Sequence, residues 1–149
     1  MKKLTILIGA FTVLAAPAYA AEDPVAARKA LMRNNSAAAA VSNAMIGGDI
    51  EYNPLIGRAA IAALGATAAT LADYFPESSG PGEGTRAAPQ IWEDRDGFLA
   101  VLGGFQTATA AALAASGSDG PPDAEAFAAA VQPVLEFCGA CHSAYRVQQ

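Results

Sequence analysis

The sequence predicts an all-α protein, an antiparallel four-helix bundle, on three observations. Alanine dominates beyond residue 20 while β-branched residues are few, a composition that favours helix and offers little to a strand. Four segments carry apolar residues at helical spacing, each opened by a capping residue or proline and closed by glycine, proline or serine. Most of the connections between them are short, which makes successive helices antiparallel neighbours.

The first helix starts at Asp23-Pro24, an acid placed to cap and a proline at the first helical position. Its apolar line runs through Leu31, Ala38, Val41 and Met45, and Gly47-Gly48 ends it. Asn53-Pro54 repeats the same cap for the second helix, which reads Leu55, Ala59, Ala62, Ala66 and Ala69 along its core face until Phe75-Pro76. Residues 77–88 form the one long polar loop. The third helix enters near Pro89, presents Ile91, Phe98, Leu102, Phe105 and Thr109, and dissolves at Ser116-Gly117-Ser118. The fourth follows Pro121-Pro122 with Asp123 as cap and lines up Phe127, Val131, Val134, Cys138, Cys141 and Tyr145. Pro133 lies inside that pattern and predicts a bend, because it has no N–H for the carbonyl of Ala129.

Both cysteines and the only histidine fall within Cys138-Gly139-Ala140-Cys141-His142. Chance placement of three such residues in 149 positions would give this arrangement roughly once in ten thousand. The spacing is that of covalent haem attachment: Cys138 and Cys141 add to the two porphyrin vinyl groups as thioethers, and His142 supplies the proximal imidazole to iron. Three other readings compete. A structural zinc site wants four ligands, and this window offers three. A thioredoxin-like redox pair belongs in a βαβ setting, and no strand pattern surrounds it. A plain disulfide leaves His142 without a role.

Residues 1–20 read as a cleaved export signal. Lys2 and Lys3 precede an apolar run of 13 residues, Leu4 to Ala16, and Ala18-Tyr19-Ala20 supplies the cleavage pattern. That run is short of the ~20 residues a membrane span needs, so no membrane association is expected once it is removed. Residues 21–149 then form a single domain, and the expected location is the periplasm, where haem attachment of this kind takes place. Without Lys2 and Lys3 the domain holds 7 basic and 14 acidic side chains, a net charge of −7. Such a chain repels nucleic acid and anionic lipid, and on net charge alone a steered partner meets it with a basic surface. An alanine-rich interior leaves room for a large flat cofactor to serve as much of the core.

The chain resembles the class II c-type cytochromes, the cytochrome c′ family, over residues 21–149. The resemblance rests on Ala27-Arg28-Lys29-Ala30-Leu31-Met32, Phe75-Pro76, Thr85, Ile91-Trp92 and Cys138 through Arg146 with the haem motif late in the chain. It implies one covalent haem c, with Arg28 beside a haem propionate, Met32 over the distal side of the iron and Thr85 near the haem edge. It also implies that Arg146 sits beside the proximal imidazole and that two copies form a homodimer through the first two helices. Lys29 stands where relatives usually carry Gln, and Arg86 where they often carry an acid, so altered propionate contacts are expected. Bland readings stand beside these: Arg28 as a solvated helix charge, Met32 as core filler, Trp92 as a core residue, and Tyr145 and Arg146 as simple helix ends.

Because His142 is the only imidazole, two histidines from one chain do not ligate the iron. The resemblance implies a five-coordinate iron covered by Met32, which admits small diatomic ligands such as nitric oxide. The alternative is a low-spin electron carrier with Met32 as sixth ligand; a zinc-stapled helical interaction protein is the outsider. Either haem reading implies a redox partner protein. No nucleophile or general base is patterned beyond the iron, so no enzyme turnover is expected.

Overall fold

The computed structural model describes residues 23–148 except Glu83; the expected export signal, residues 1–20, lies outside the described residues. Four long helices form the bundle: α1 (Pro24–Gly47), α2 (Pro54–Thr70), α4 (Arg95–Ser116) and α5 (Ala124–Tyr145), with a short α3 (Gln90–Glu93) before α4. Each packs on the next and α5 closes the ring against α1. The α1–α2 pair is antiparallel, with Asn34 reaching Ala63 O at 3.2 Å across the interface while residues 48–53 turn the chain.

The helix starts follow their local chemistry. Asp23 accepts from Val25 N at 2.9 Å, Asn53 from Leu55 N at 3.0 Å, and Asp123 from Ala126 N at 2.8 Å, contacts worth about 1 kcal/mol each. At the end of α1, Gly48 takes φ 77° and its N–H reaches back to the last turn, a left-handed cap that suits glycine. The α helix of α2 stops at Thr70 and tightens into a 3₁₀ turn, Leu71–Tyr74, before Phe75-Pro76 turns the chain away. Helix α5 runs through Pro133 as one element, with that proline exposed, so water can serve the carbonyl it leaves free.

Two expectations are corrected. The core face of α2 is Gly57, Ala60, Ile61, Leu64, Thr67 and Ala68; of the line Leu55, Ala59, Ala62, Ala66 and Ala69, four are exposed and Ala62 is half-buried. Alanine occupies both sides of this helix, so apolarity alone did not choose, and the larger Ile61 and Leu64 did. The expected third helix is broken at Asp94, whose backbone (φ −121°, ψ 61°) leaves the helical region and whose side chain caps α4 through Gly97 N at 3.2 Å.

By length and hydropathy, segment 54–74 and α4 could each cross a bilayer; here they pack against one another within the bundle. The interior has two parts. One, around Ile61, Leu64, Phe105, Phe127, Val131 and Val134, is packed tightly between the helices. The other, around Leu71, Phe75, Ile91, Phe98, Leu102 and Tyr145, lies at the end where α1 begins and α5 finishes, and it surrounds an opening.

Candidate haem site

That opening is a cavity of about 590 Å³, within the roughly 300–1,000 Å³ of small-molecule and cofactor sites. Arg28, Met32, Thr85, Cys138, Cys141, His142 and Arg146, seven residues drawn from 119 positions of chain, all line it. Helix geometry accounts for much of this convergence. Cys138, Cys141 and His142 sit three and four residues apart, hence on one face of α5. Arg28 and Met32 are one turn apart on the inward face of α1.

Thr85 arrives by a separate device. The loop is clipped to the end of α5 by a single antiparallel bridge between Ala87 and Arg146. Val147 N donates to Arg86 O at 2.9 Å and Ala88 N to Tyr145 O at 3.1 Å. Thr85 Oγ1 accepts from Ala87 N at 3.2 Å and fixes the turn before the bridge.

The wall is mostly apolar, with Phe75, Ile91, Phe98, Leu102 and Phe105 among its residues. The rings interlock edge to face: Phe75 on Phe98 at 4.9 Å and Phe98 on Tyr145 at 5.3 Å between centroids. Tyr145 is buried and donates to Asp94 Oδ2 at 3.0 Å, so it is more than a helix end. Trp92 packs behind Phe75 and donates Nε1–H to Pro76 O at 3.2 Å, which is the core role.

Arg28 is not a solvated helix charge. It is 5 % exposed, its two terminal nitrogens donate to Ser79 O at 3.2 Å, and its guanidinium lies 4.6 Å over the Phe75 ring. Burial lowers its pKa while Asp23 acts in the opposite sense. Its Nε is buried with no hydrogen-bond partner, a donor left for an anionic group in the cavity to complete. Asn35 Oδ1, on the same wall one turn beyond Met32, is likewise buried without a partner.

Both thiols are free. Burial pushes Cys138 up, and burial with the neighbouring Cys138 pushes Cys141 up to about 11. A thioredoxin-like pair needs the opposite, a thiolate held low. Burial, then Arg146 and Arg86, holds His142 below the usual imidazole range, so its ring is neutral and has a lone pair to offer a metal. Among the described residues no three His, Cys, Asp or Glu side chains converge as a metal-binding group, which leaves a zinc staple without its remaining ligands. Two thiols one turn apart, a neutral imidazole beside them, an apolar chamber and an unpaired arginine donor fit a porphyrin carrying propionates.

Three features here were not read from sequence: Ser79 as the acceptor for Arg28, Asn35 on the wall, and Asp94 as the anchor of Tyr145. Arg28–Ser79 and Asp94–Tyr145 each span 51 residues, and no local pattern signals such a pair.

The Cytochrome C′ family profile matches residues 23–146. Cytochrome c′ of Rhodopseudomonas palustris is 31% identical over 132 residues, covering 89% of this chain and 87% of its own. Cytochrome c-556 of Agrobacterium fabrum is 30% identical over 139 residues, covering 93% and 91%. Among solved structures, cytochrome c′ of Rhodopseudomonas palustris superposes with a TM-score of 0.77 at 27% identity over 87% of this chain and 99% of that one. A variant of cytochrome c′ from Alcaligenes xylosoxidans, solved as its nitric oxide complex, gives 0.72 at 25% identity over 85% and 96%. The members of this family are electron carriers or gas binders, and its four-helix architecture is the one seen here. A chamber sized for a cofactor, with the attachment motif on its wall, therefore agrees with the profile, the relatives and the superpositions: the chain belongs to the cytochrome c′ family and is a c-type haem protein.

Proposed function

We propose that the protein is an exported, periplasmic haem carrier that transfers electrons and binds a diatomic ligand such as nitric oxide, with no enzymatic turnover of its own. Cys138 and Cys141 would hold the porphyrin by thioethers, His142 would ligate the iron, Arg28 would pair with a propionate, and Met32 would restrict the room left for a further ligand. When bound, the haem supplies the one-electron iron couple and an axial position for a small ligand. One observation carries this reading: the thiols, the imidazole and the Met32 thioether share a single apolar cavity.

Each side chain has a task that follows from its setting. Neutral His142 presents a lone pair without first losing a proton. Arg28, held by Ser79 and Phe75, offers its unpaired Nε–H to a carboxylate. Met32, half-buried against the apolar end of the core, shares the cavity with His142 and would narrow it in favour of small ligands. Phe75, Phe98 and Leu102 keep water from that space. The nitric oxide complex of the Alcaligenes relative supports the gas-binding part. A second reading has its own support: a thioether on the cavity wall can itself ligate iron, giving a low-spin electron carrier.

Mass spectrometry and absorption spectroscopy of the secreted protein test the core of this proposal. One covalent haem, resistant to acid extraction, is expected; two free thiols and no added mass would end it. Electron paramagnetic resonance of the ferric protein separates the two readings, with a high-spin signal for the open site and a low-spin signal for Met32 ligation.

A further inference from the structure

The charges of this acidic protein are sorted in space. Five of the seven cationic side chains among the described residues, Arg28, Lys29, Arg33, Arg86 and Arg146, line the cavity, and none of the twelve described acidic side chains does. Arg28 is buried and committed to the interior, whereas Lys29, Arg33 and Arg86 are exposed and Arg146 is half-buried, so these four ring the mouth. Asp23, which acts electrostatically on Arg28, is engaged in capping Val25 N. The other two cations lie elsewhere: Arg95 holds Phe75 O, and Arg58 holds Gly117 O at the far end of the bundle.

We propose that this cationic mouth is the docking surface for the redox partner, and that the partner is a protein presenting a carboxylate-rich patch. The inference rests on the haem reading above and deepens it. It also reverses the expectation drawn from net charge, and screening decides between the two. At physiological salt the Debye length is about 8 Å, shorter than the distance from the mouth to the far end of a bundle whose helices have 17 to 24 residues at 1.5 Å rise each. A partner at the mouth therefore meets the local charges: Asp49, Glu51, Asp119, Asp123 and Glu125 at the far end are screened, while Asp23, Asp73, Glu77, Glu93, Asp94 and Asp96 share the mouth's end of the bundle but do not line the opening as the cations do. Electron exchange is fastest where the cofactor edge comes nearest the surface, which is the opening that these side chains surround. Lys29 and Arg86, both exposed, add positive charge there.

The test uses the haem-loaded full chain. First, the ¹⁵N-labelled protein is titrated with a deca-glutamate peptide and followed by NMR; shifts are expected at residues 28–33, 86 and 146. Second, the ferrous protein is oxidised by anionic hexacyanoferrate(III), each complex taking one electron from one iron. Its rate is expected to fall about tenfold between about 0.02 M and 0.5 M salt, while oxidation by cationic tris(phenanthroline)cobalt(III) does not fall. Lys29→Glu should slow hexacyanoferrate about fivefold at low salt, against less than about twofold for Arg58→Glu at the far end of the bundle. The proposal is overturned if the hexacyanoferrate rate rises with salt, if the distant Arg58→Glu matches the mouth reversal Lys29→Glu, or if the peptide shifts nothing at the mouth. In the last case the mouth selects small anions only. A protein without haem would remove the earlier reading together with this one; a redox-active protein that fails these tests loses only the docking surface.

Discussion

Tyr145 and Asp94 join the two ends of the site: the tyrosine hydroxyl donates to Asp94 Oδ2 at 3.0 Å, while Asp94 Oδ1 caps α4 at Gly97 N. One carboxylate thus starts α4 and anchors the last turn of α5, three residues after His142. Tyr145→Phe keeps the ring on Phe98 and removes only the hydrogen bond, so Tm should fall by about 3 °C in a melt of the loaded protein. Burial first, then Asp94, raises the Tyr145 pKa, and burial raises that of Tyr52, whose hydroxyl donates to Pro121 O at 2.6 Å. An acid whose folded pKa is raised keeps its stabilising contribution below the unfolded value and loses it as pH climbs through the folded one. Unfolding at a series of pH values should therefore show stability declining above about pH 10, and less steeply in Tyr145→Phe.

Removing the cofactor should cost the fold its native packing. At about 24 cal/mol per Å³, an empty cavity of about 590 Å³ would cost up to about 14 kcal/mol, as much as the whole 5–15 kcal/mol stability of an ordinary domain. The cavity has a mouth, so water and collapse relieve part of that. Cys138→Ala with Cys141→Ala, purified without haem, is expected to keep helical far-ultraviolet circular dichroism, lose its near-ultraviolet bands and bind a hydrophobic dye. A sharp cooperative melt equal to that of the loaded protein would contradict this account of the core.

The features legible in the sequence are those whose cause is local. Asp23-Pro24, Asn53-Pro54 and Asp123 cap helices with their own side chains, and Cys138 through His142 bring their ligands together by helical spacing alone. Ile91, Phe98, Leu102, Phe105 and Thr109 were readable as core because their helix contrasts large residues with polar ones, and all five are buried. The core face of α2 was not, since alanine carries no such contrast. Asp94 went unread, because nothing local distinguishes a cap from a solvated acid until Tyr145 is known to lie beside it. Nor does the chain's net charge reveal that its cations gather at one mouth.

Arg28 separates charge from hydrogen bonding. Arg28→Met should destabilise the loaded protein by about 2 kcal/mol, through the lost donors to Ser79 and the lost stacking on Phe75. It should also lower the reduction potential, because a cation near the haem favours the ferrous state. Arg28→Lys restores the charge without the planar fork, so voltammetry should show the potential largely recovered while the melting curve stays low. Recovery of both would mean that the guanidinium geometry is unimportant.

On the proposed arrangement Met32 decides what reaches the iron. If it covers an open site, Met32→Ala should leave the ferric protein high-spin and speed nitric oxide association about tenfold in stopped flow, equivalent to about 1.4 kcal/mol of steric cost removed. If it is a ligand, the unmodified protein is low-spin and the variant becomes high-spin. An unchanged spin state and an unchanged rate would take Met32 off the distal side altogether.

The outward line of α2 has a physical consequence. Leu55 is 67 % and Ile56 47 % exposed, followed along the helix by the exposed Ala59, Ala66 and Ala69. Small side chains there let a second helix approach closely, which supports a homodimer through the first two helices. In a two-fold interface each residue is buried twice, so at about 2 kcal/mol per buried leucine the pair of Leu55 side chains would supply about 4 kcal/mol to such a dimer. Leu55→Glu removes that and sets two carboxylates in the contact. Its dissociation constant should rise at least about a thousandfold, enough to convert a dimer to monomer in sedimentation at micromolar protein. The helical circular dichroism should not change, because Leu55 makes no part of the core. A monomeric unmodified protein, or a Leu55→Glu dimer, would return this face to water, where single exposed leucines are ordinary.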